Sequence, residues 1–246
     1  MRLHRFFINA NIAELFEQKG SFDIADKDLV HQWKNVFRYN VGSQVVLFDG
    51  AGMDYLCMIS SIRNLGATVQ VLKNHKTADV NQRKNVWLCV ALLKKDNFDL
   101  VVQKATELGV TNIVPIICEH SEKRKLNLER MKKIAIEASE QSGRGDIPVI
   151  HPEMTLQDVF TVGILPQEKI AFHTNFSKDS PCISFRQYIS STNQNSFATF
   201  IGPEGGFSDK EIALFKSYNL PIVSLGSQIL RAETAAIAVA SLFLLL

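Results

Sequence analysis

Residues 200–211 read Phe-Ile-Gly-Pro-Glu-Gly-Gly-Phe-Ser-Asp-Lys-Glu, with three glycines and a proline within five positions, 202–206. The apolar run Phe197–Ile201 precedes them and has the composition of a buried strand. Ser208 and Glu211 follow at the spacing of a capping box, in which each side chain satisfies the other's backbone amide, so a helix is expected to begin near Asp209. The bare backbone therefore lies at the carboxyl end of a strand and just before a helix, where open parallel sheets bind their ligands. Gly202, Gly205 and Gly206 would let the main chain approach a ligand with no Cβ in between. A phosphate is a poor fit. The stretch is neither GxxxxGK[ST] nor GxGxxG, it comes late in the chain, and Glu204 in mid-loop would repel an anion. A ligand with hydrogen-bonding edges and little negative charge, such as an adenosine, suits it better. Taken alone, an ordinary strand-to-helix turn accounts for the pattern equally well.

A second stretch, Leu225-Gly-Ser-Gln-Ile-Leu-Arg-Ala-Glu-Thr-Ala235, repeats the arrangement: it follows the apolar PIVSL and enters an alanine-rich helix. Arg231 and Glu233 stand at the polar start of that helix, a position that an ordinary buried helix does not explain. A third apolar run, KIAFH, ends at His173-Thr174-Asn175. Outward from these, apolar runs alternate with amphipathic segments from residue 86 onward: Val86–Leu93, then Phe98 to Leu108 at helical spacing, TNIVPII, a helix through Met131 and Ala138 stopped at Gly143, and Ile147–Ile150. Asp96 and Asp99 are expected to cap the first of these helices and Gly109 to end it. Such alternation predicts a mostly parallel sheet covered on both faces.

Residues 1–73 differ. A helical stripe spans Asp28–Phe37, and the short runs SQVVLF, DYLCMISSI and ATVQVL, separated by Asp49-Gly-Ala-Gly52 and Asn64-Leu-Gly66, suggest a small β-barrel or sandwich. The polar residues 74–85 read as a linker, leaving 86–246 as a second domain.

Bulk properties exclude several classes. In 246 residues, 46% are hydrophobic and 21% charged, the composition of a soluble globular protein, and a net charge of +2 points to no partner by itself. Cys57, Cys89, Cys118 and Cys182 form no CxxC pair, which speaks against a zinc ribbon or a disulfide framework and fits a reduced cytoplasm. The six histidines show no metal-ligand spacing, so no metal is expected. MRLHRFFIN lacks the form of a signal peptide. The terminal AAIAVASLFLLL has 12 residues, short of the ~20 that a membrane span needs, and reads as a buried helix.

The combination of motifs carries a resemblance. IGPEGGFSDKEI (201–212) followed by LGSQILRAETAA (225–236), with VVQKATELGV (101–110), KIAIEASEQSGR (133–144), HRFFI (4–8) and LFDG (47–50), resembles the SPOUT-class family that methylates N3 of a uridine in bacterial small-subunit (16S) ribosomal RNA. The resemblance spans nearly the whole chain. It implies an α/β class with an N-terminal PUA-like β-barrel that binds RNA, a C-terminal domain with a deep trefoil knot that binds S-adenosylmethionine, and a cytoplasmic homodimer acting on 16S ribosomal RNA or the assembled small ribosomal subunit. Periodicity could not have shown a knot.

Carried onto this chain, the resemblance implies cofactor contacts from His173 and Thr174, from Ile201, Gly202, Pro203, Gly205 and Gly206, and from Leu225, Gly226, Ile229 and Leu230. It favours RNA contacts from Arg2, Arg5, His31, Arg38 and Arg144. The chain departs from the family at Gln228, often arginine, at Asn97, usually basic, and at Gly145-Asp146, usually a more basic pair.

The implied reaction removes a weakly acidic imide proton while negative charge spreads onto O2 and O4 of the base. Arg231, just past the cofactor loop, is the candidate to stabilise that charge. Glu204 and Glu233 are candidates for the base or for orienting groups, beside the plainer roles of a loop hydrogen bond and a helix-start charge. Another SPOUT methyltransferase, acting on a transfer RNA base or a ribose oxygen, and a non-catalytic RNA-binding protein remain the alternatives.

Overall fold

The computed structural model describes residues 3–77, 84–122, 125–173 and 183–245. The chain divides into two compact units, one of residues 1–81 with 139–147, the other of 82–138 with 148–246.

The first unit is built on a five-stranded sheet in the order β1-β3-β4-β5-β2. Its strands are β1 (Arg5–Phe7), β2 (Ser21–Ile24), β3 (Gln44–Phe48), β4 (Met53–Ile62) and β5 (Ala67–Lys76). β1 runs parallel to β3 and the other pairs are antiparallel. Helix α1 (Ile12–Lys19) is capped by Asn11, and α2 (Lys27–His31), capped by Asp26, continues as a π-helical turn over Gln32–Val36. That turn delivers Trp33, fully buried, into a core of Phe6, Val45, Leu47, Cys57 and Val69. The three strands expected from alternation are present. Strand β5 extends to Lys76, three residues into the polar segment 74–85, because backbone pairing with β4 is indifferent to side-chain polarity.

The second unit carries eight strands in one sheet: β6 (Asn85–Ala91), β7 (Asn112–Ile117), β8 (Val149–Ile150), β9 (Met154–Thr155), β10 (Glu168–Phe172), β11 (Ile183–Ser184), β12 (Ser196–Ile201) and β13 (Ile222–Ser224). The main path is β11-β13-β10-β12-β6-β7-β8, with β9 beside β7, and every described pairing is parallel. The helices are α3 (Lys95–Leu108), α4 (Leu128–Ser142), α5 (Leu156–Thr161), α6 (Phe185–Ser191), α7 (Asp209–Ser217) and α8 (Ala232–Leu244). Gly109 and Gly143 end α3 and α4 with φ of +105° and +81°, left-handed values that suit glycine. The start of α3 differs from expectation. Lys94 occupies the cap with no side-chain bond, and Asp99 pairs across to Arg130 on α4 at 2.6 Å. Helix α8 buries Ala236, Val239, Ala240 and Phe243 against α3, β6 and β12, and leaves Ala235, Ile237 and Ala238 only half covered. No helix among the described residues is long and apolar enough to cross a membrane.

Candidate active site

Strands β12, β10 and β13 lie side by side, with Phe172 of β10 opposite Ile201 and Val223. Their carboxyl ends thus reach one edge of the sheet together, and there the glycine loop, the segment from Leu225 to Arg231 and His173 at the end of β10 meet. They enclose a cavity of about 350 Å³. One wall is the glycine loop, Gly202 to Phe207; the facing wall is Leu225 and Gln228–Arg231, backed by Ala232 and Ala235 of α8.

The loop has the form its sequence suggests. Ser208 and Glu211 make both bonds of the capping box: the Ser208 amide donates to Glu211 Oε2 at 2.8 Å and the Glu211 amide to Ser208 Oγ at 3.4 Å. Gly206 has φ of +73°, where any side chain is strained, and a Cβ there would come 3.6 Å from His173 Cε1. At Gly202 a Cβ would press on the Phe207 ring at 3.2 Å, so a larger residue there would require the ring to shift. His173 is half-buried; burial lowers the pKa of its imidazole, partly offset by Asp209, so the ring is neutral at neutral pH.

Of the cofactor contacts expected, His173, Ile201, Gly202, Pro203, Gly205 and Gly206 all line the cavity. So do Leu225, Ile229 and Leu230, whereas Gly226 is not part of the wall and Thr174 falls outside the described residues. Arg231 and Glu204 line the cavity and are exposed. Arg231 makes no ion pair among the described residues and no side-chain cap for α8. Glu233 corrects the sequence expectation. It lies in the first turn of α8, 8% exposed and off the cavity wall, and its Oε2 has no hydrogen-bond partner among the described residues. Phe172, Phe207 and Ala235 line the cavity without having been singled out as contacts; only the fold shows which faces of their elements turn inward. Gln228, noted as a departure from the family, stands on the wall.

The residues expected to meet RNA divide. Arg2 lies outside the described residues, and His31 and Arg38 are exposed, Arg38 with a left-handed φ of +56°. Arg5 and Arg144 are consumed internally. Arg5 grips Asp54 with two bonds, Nε to Oδ2 at 2.9 Å and Nη2 to Oδ1 at 2.6 Å, donates from Nη1 to the Ser139 carbonyl at 2.8 Å, and lies 4.4 Å from the Phe48 ring centroid. Its side chain is 12% exposed. The Arg144 side chain, 3% exposed, pairs with Asp146 through Nε at 3.0 Å and Nη2 at 2.7 Å. Gly145-Asp146 is therefore a structural pair: Asp146 neutralises the buried guanidinium, and a Cβ at 145 would overlap the Thr77 side chain.

The family profile for an RNA methyltransferase domain matches residues 80–244, and that for an RNA methyltransferase PUA domain matches residues 34–72. A relative from Rickettsia conorii, ribosomal RNA small subunit methyltransferase E, is 36% identical over 239 residues, 96% of this chain and 93% of its own. The chain belongs to the ribosomal RNA small subunit methyltransferase E family. A Bacillus subtilis member is 27% identical, covering 95% of this chain and 93% of its own. The crystal structure of the Neisseria gonorrhoeae member bound to S-adenosylmethionine superimposes with a TM-score of 0.81 at 25% identity, covering 98% of this chain and 96% of that one. For a methyltransferase E member the cavity has the right chemistry. Apolar Ile201, Leu225 and Leu230 suit the flat face of an adenine, glycine backbone suits its polar edges, and the wall includes the carboxylate of Glu204 for a cationic donor.

Proposed function

We propose that the protein transfers the methyl group of S-adenosylmethionine to N3 of a uridine in 16S ribosomal RNA. The observation that carries the reading is the convergence of the glycine loop and Arg231 on one cavity at three parallel strand ends. Bound S-adenosylmethionine supplies an already activated methyl group on its sulfonium. The backbone of Gly202, Gly205 and Gly206 holds the adenosine, with Ile201, Leu225, Ile229 and Leu230 around it. The acceptor loses its N3 proton as the new C–N bond forms and the C–S bond breaks. Arg231, exposed at the cavity, faces the negative charge that develops on O2 and O4. Glu204, also at the cavity, is the carboxylate placed to accept the proton. N3 lies on the Watson–Crick edge, so the uridine enters unpaired or flipped out.

The remaining assignments follow the same reading. Residues 1–73 carry a PUA-like β-barrel that presents Arg38 and His31 to RNA, the segment between β5 and β6 leads from it to the second domain, and the second domain contains the trefoil knot. The enzyme works in the cytoplasm as a homodimer. The half-covered apolar face of α8 and Ile229, 82% exposed beside the cavity, favour a second copy as the cover. Sedimentation at micromolar protein is expected to give a dimer.

Mass spectrometry of nucleosides from 16S ribosomal RNA tests the reading. Deleting the gene should remove one N3-methyluridine, and adding back the protein with S-adenosylmethionine should restore it. Loss of a ribose methyl or of a transfer RNA modification, with N3-methyluridine intact, would overturn the assignment.

A further inference from the structure

The glycine loop is gripped from outside the cavity by the segment after β7, residues 118–122, none of which lines the wall. Three features join the two loops. Nδ1 of His120 lies 3.1 Å from the Gly206 carbonyl oxygen. A carbonyl only accepts, so Nδ1 carries the hydrogen and donates. The Glu119 amide donates to Glu211 Oε1 at 2.9 Å, while Oε2 of the same carboxylate accepts from the Ser208 amide at 2.8 Å. A Cβ at Gly205 would stand 3.0 Å from His120 Cβ, so the His120 side chain packs directly against the glycine backbone.

The gripping segment is itself anchored. The Cys118 amide donates to Ser121 Oγ at 2.9 Å, and the Glu122 amide to the Leu92 carbonyl at 3.1 Å. A capping box explains why Glu211 meets Ser208; it does not explain the bond from Glu119 or the approach of His120. Three glycines between residues 202 and 206 make the free loop costly to order. Contacts that hold it before the ligand arrives reduce that cost at binding.

We propose that His120 is a positioning residue for the methyl donor: its Nδ1–H, with Glu211 as second anchor, holds the Gly205–Gly206 backbone in the conformation that forms the cavity wall. The proposal rests on the reading of that cavity as the S-adenosylmethionine site.

Calorimetry with S-adenosylmethionine on the full-length protein tests it. His120→Ala should weaken binding by roughly five- to tenfold, the size of one hydrogen bond. His120→Asn, whose side-chain amide can donate from near the Nδ1 position, should bind close to wild type. Gly205→Ala, which would bring a Cβ to 3.0 Å from His120 Cβ, should also weaken binding. A packing role alone would lower the melting temperature and treat alanine and asparagine alike. Equal affinity in wild type and His120→Ala overturns the role of His120, as does failure of His120→Asn to recover what His120→Ala loses. Wild-type protein that takes up no S-adenosylmethionine overturns the reading of the cavity, and the proposal with it.

Discussion

Arg231 and Arg5 are the same side chain in opposite surroundings. Arg231 stands on a cavity wall in the parallel-sheet unit, exposed and without an ion pair among the described residues. Arg5, in the five-stranded unit, is 12% exposed, and four hydrogen bonds commit it to Asp54, the Ser139 carbonyl and the Arg144 carbonyl. A guanidinium acts on a ligand only when its donors are free. The difference between the two is therefore one of partners, and partners are set by residues 49 to 139 positions away in the chain.

Four measurements break or sharpen that contrast. The largest effect should come from Arg231→Ala. Removing a donor that serves the transition state typically costs ~10²–10³ in rate, so single-turnover methyl transfer at saturating RNA should fall by that factor with little change in RNA affinity. A wild-type rate would place Arg231 with the structural arginines. Next, Arg5→Ala strands a buried carboxylate, since Asp54 is 5% exposed. Breaking a buried pair from one side costs about 3 kcal/mol, which denaturant unfolding should detect in the first unit. If RNA binding loses salt dependence while stability holds, Arg5 touches phosphate after all. Third, Arg38→Ala should lower the log–log salt slope of RNA binding by ~0.7 to 0.9 and leave unfolding unchanged, because Arg38 is exposed.

The smallest effect is in pH. The pKa of His173 is lowered in the native state, so the unfolded chain takes up a proton first as pH falls. Its contribution to stability is full above the ordinary value of 6.5 and is lost as pH drops below it toward the native value. His151, also lowered by burial, acts in the same direction. Comparing unfolding of wild type and His173→Gln below pH 6.5 isolates the share of His173; identical pH profiles would mean that its burial carries no linkage.

Legibility followed length and locality. The apolar runs Phe197–Ile201 and Lys169–His173 read as strands by themselves, and β12 (Ser196–Ile201) and β10 (Glu168–Phe172) form there. The three-residue β1 and two-residue β9 and β11 are too short to show a period, and pairing across the sheet defines them. Helix α1 places Ile12, Leu15 and Phe16 at helical spacing and was legible in principle. Asp99 shows the opposite failure: its spacing fits a cap, but Arg130 competes for it across 31 residues.

The sequence alone determined the glycine loop, the capping box behind it and the alternation that puts three loops at strand ends, because backbone conformation and helix capping act over a few neighbouring residues. Only the tertiary structure decided which charges stay free for chemistry. It tied Arg5 and Arg144 into ion pairs, buried Glu233, opened Arg231 and Glu204 to the cavity, and brought His120 across to Gly206 from 86 residues away. Burial and ion pairing depend on distant partners converging in space, and no local pattern records that convergence.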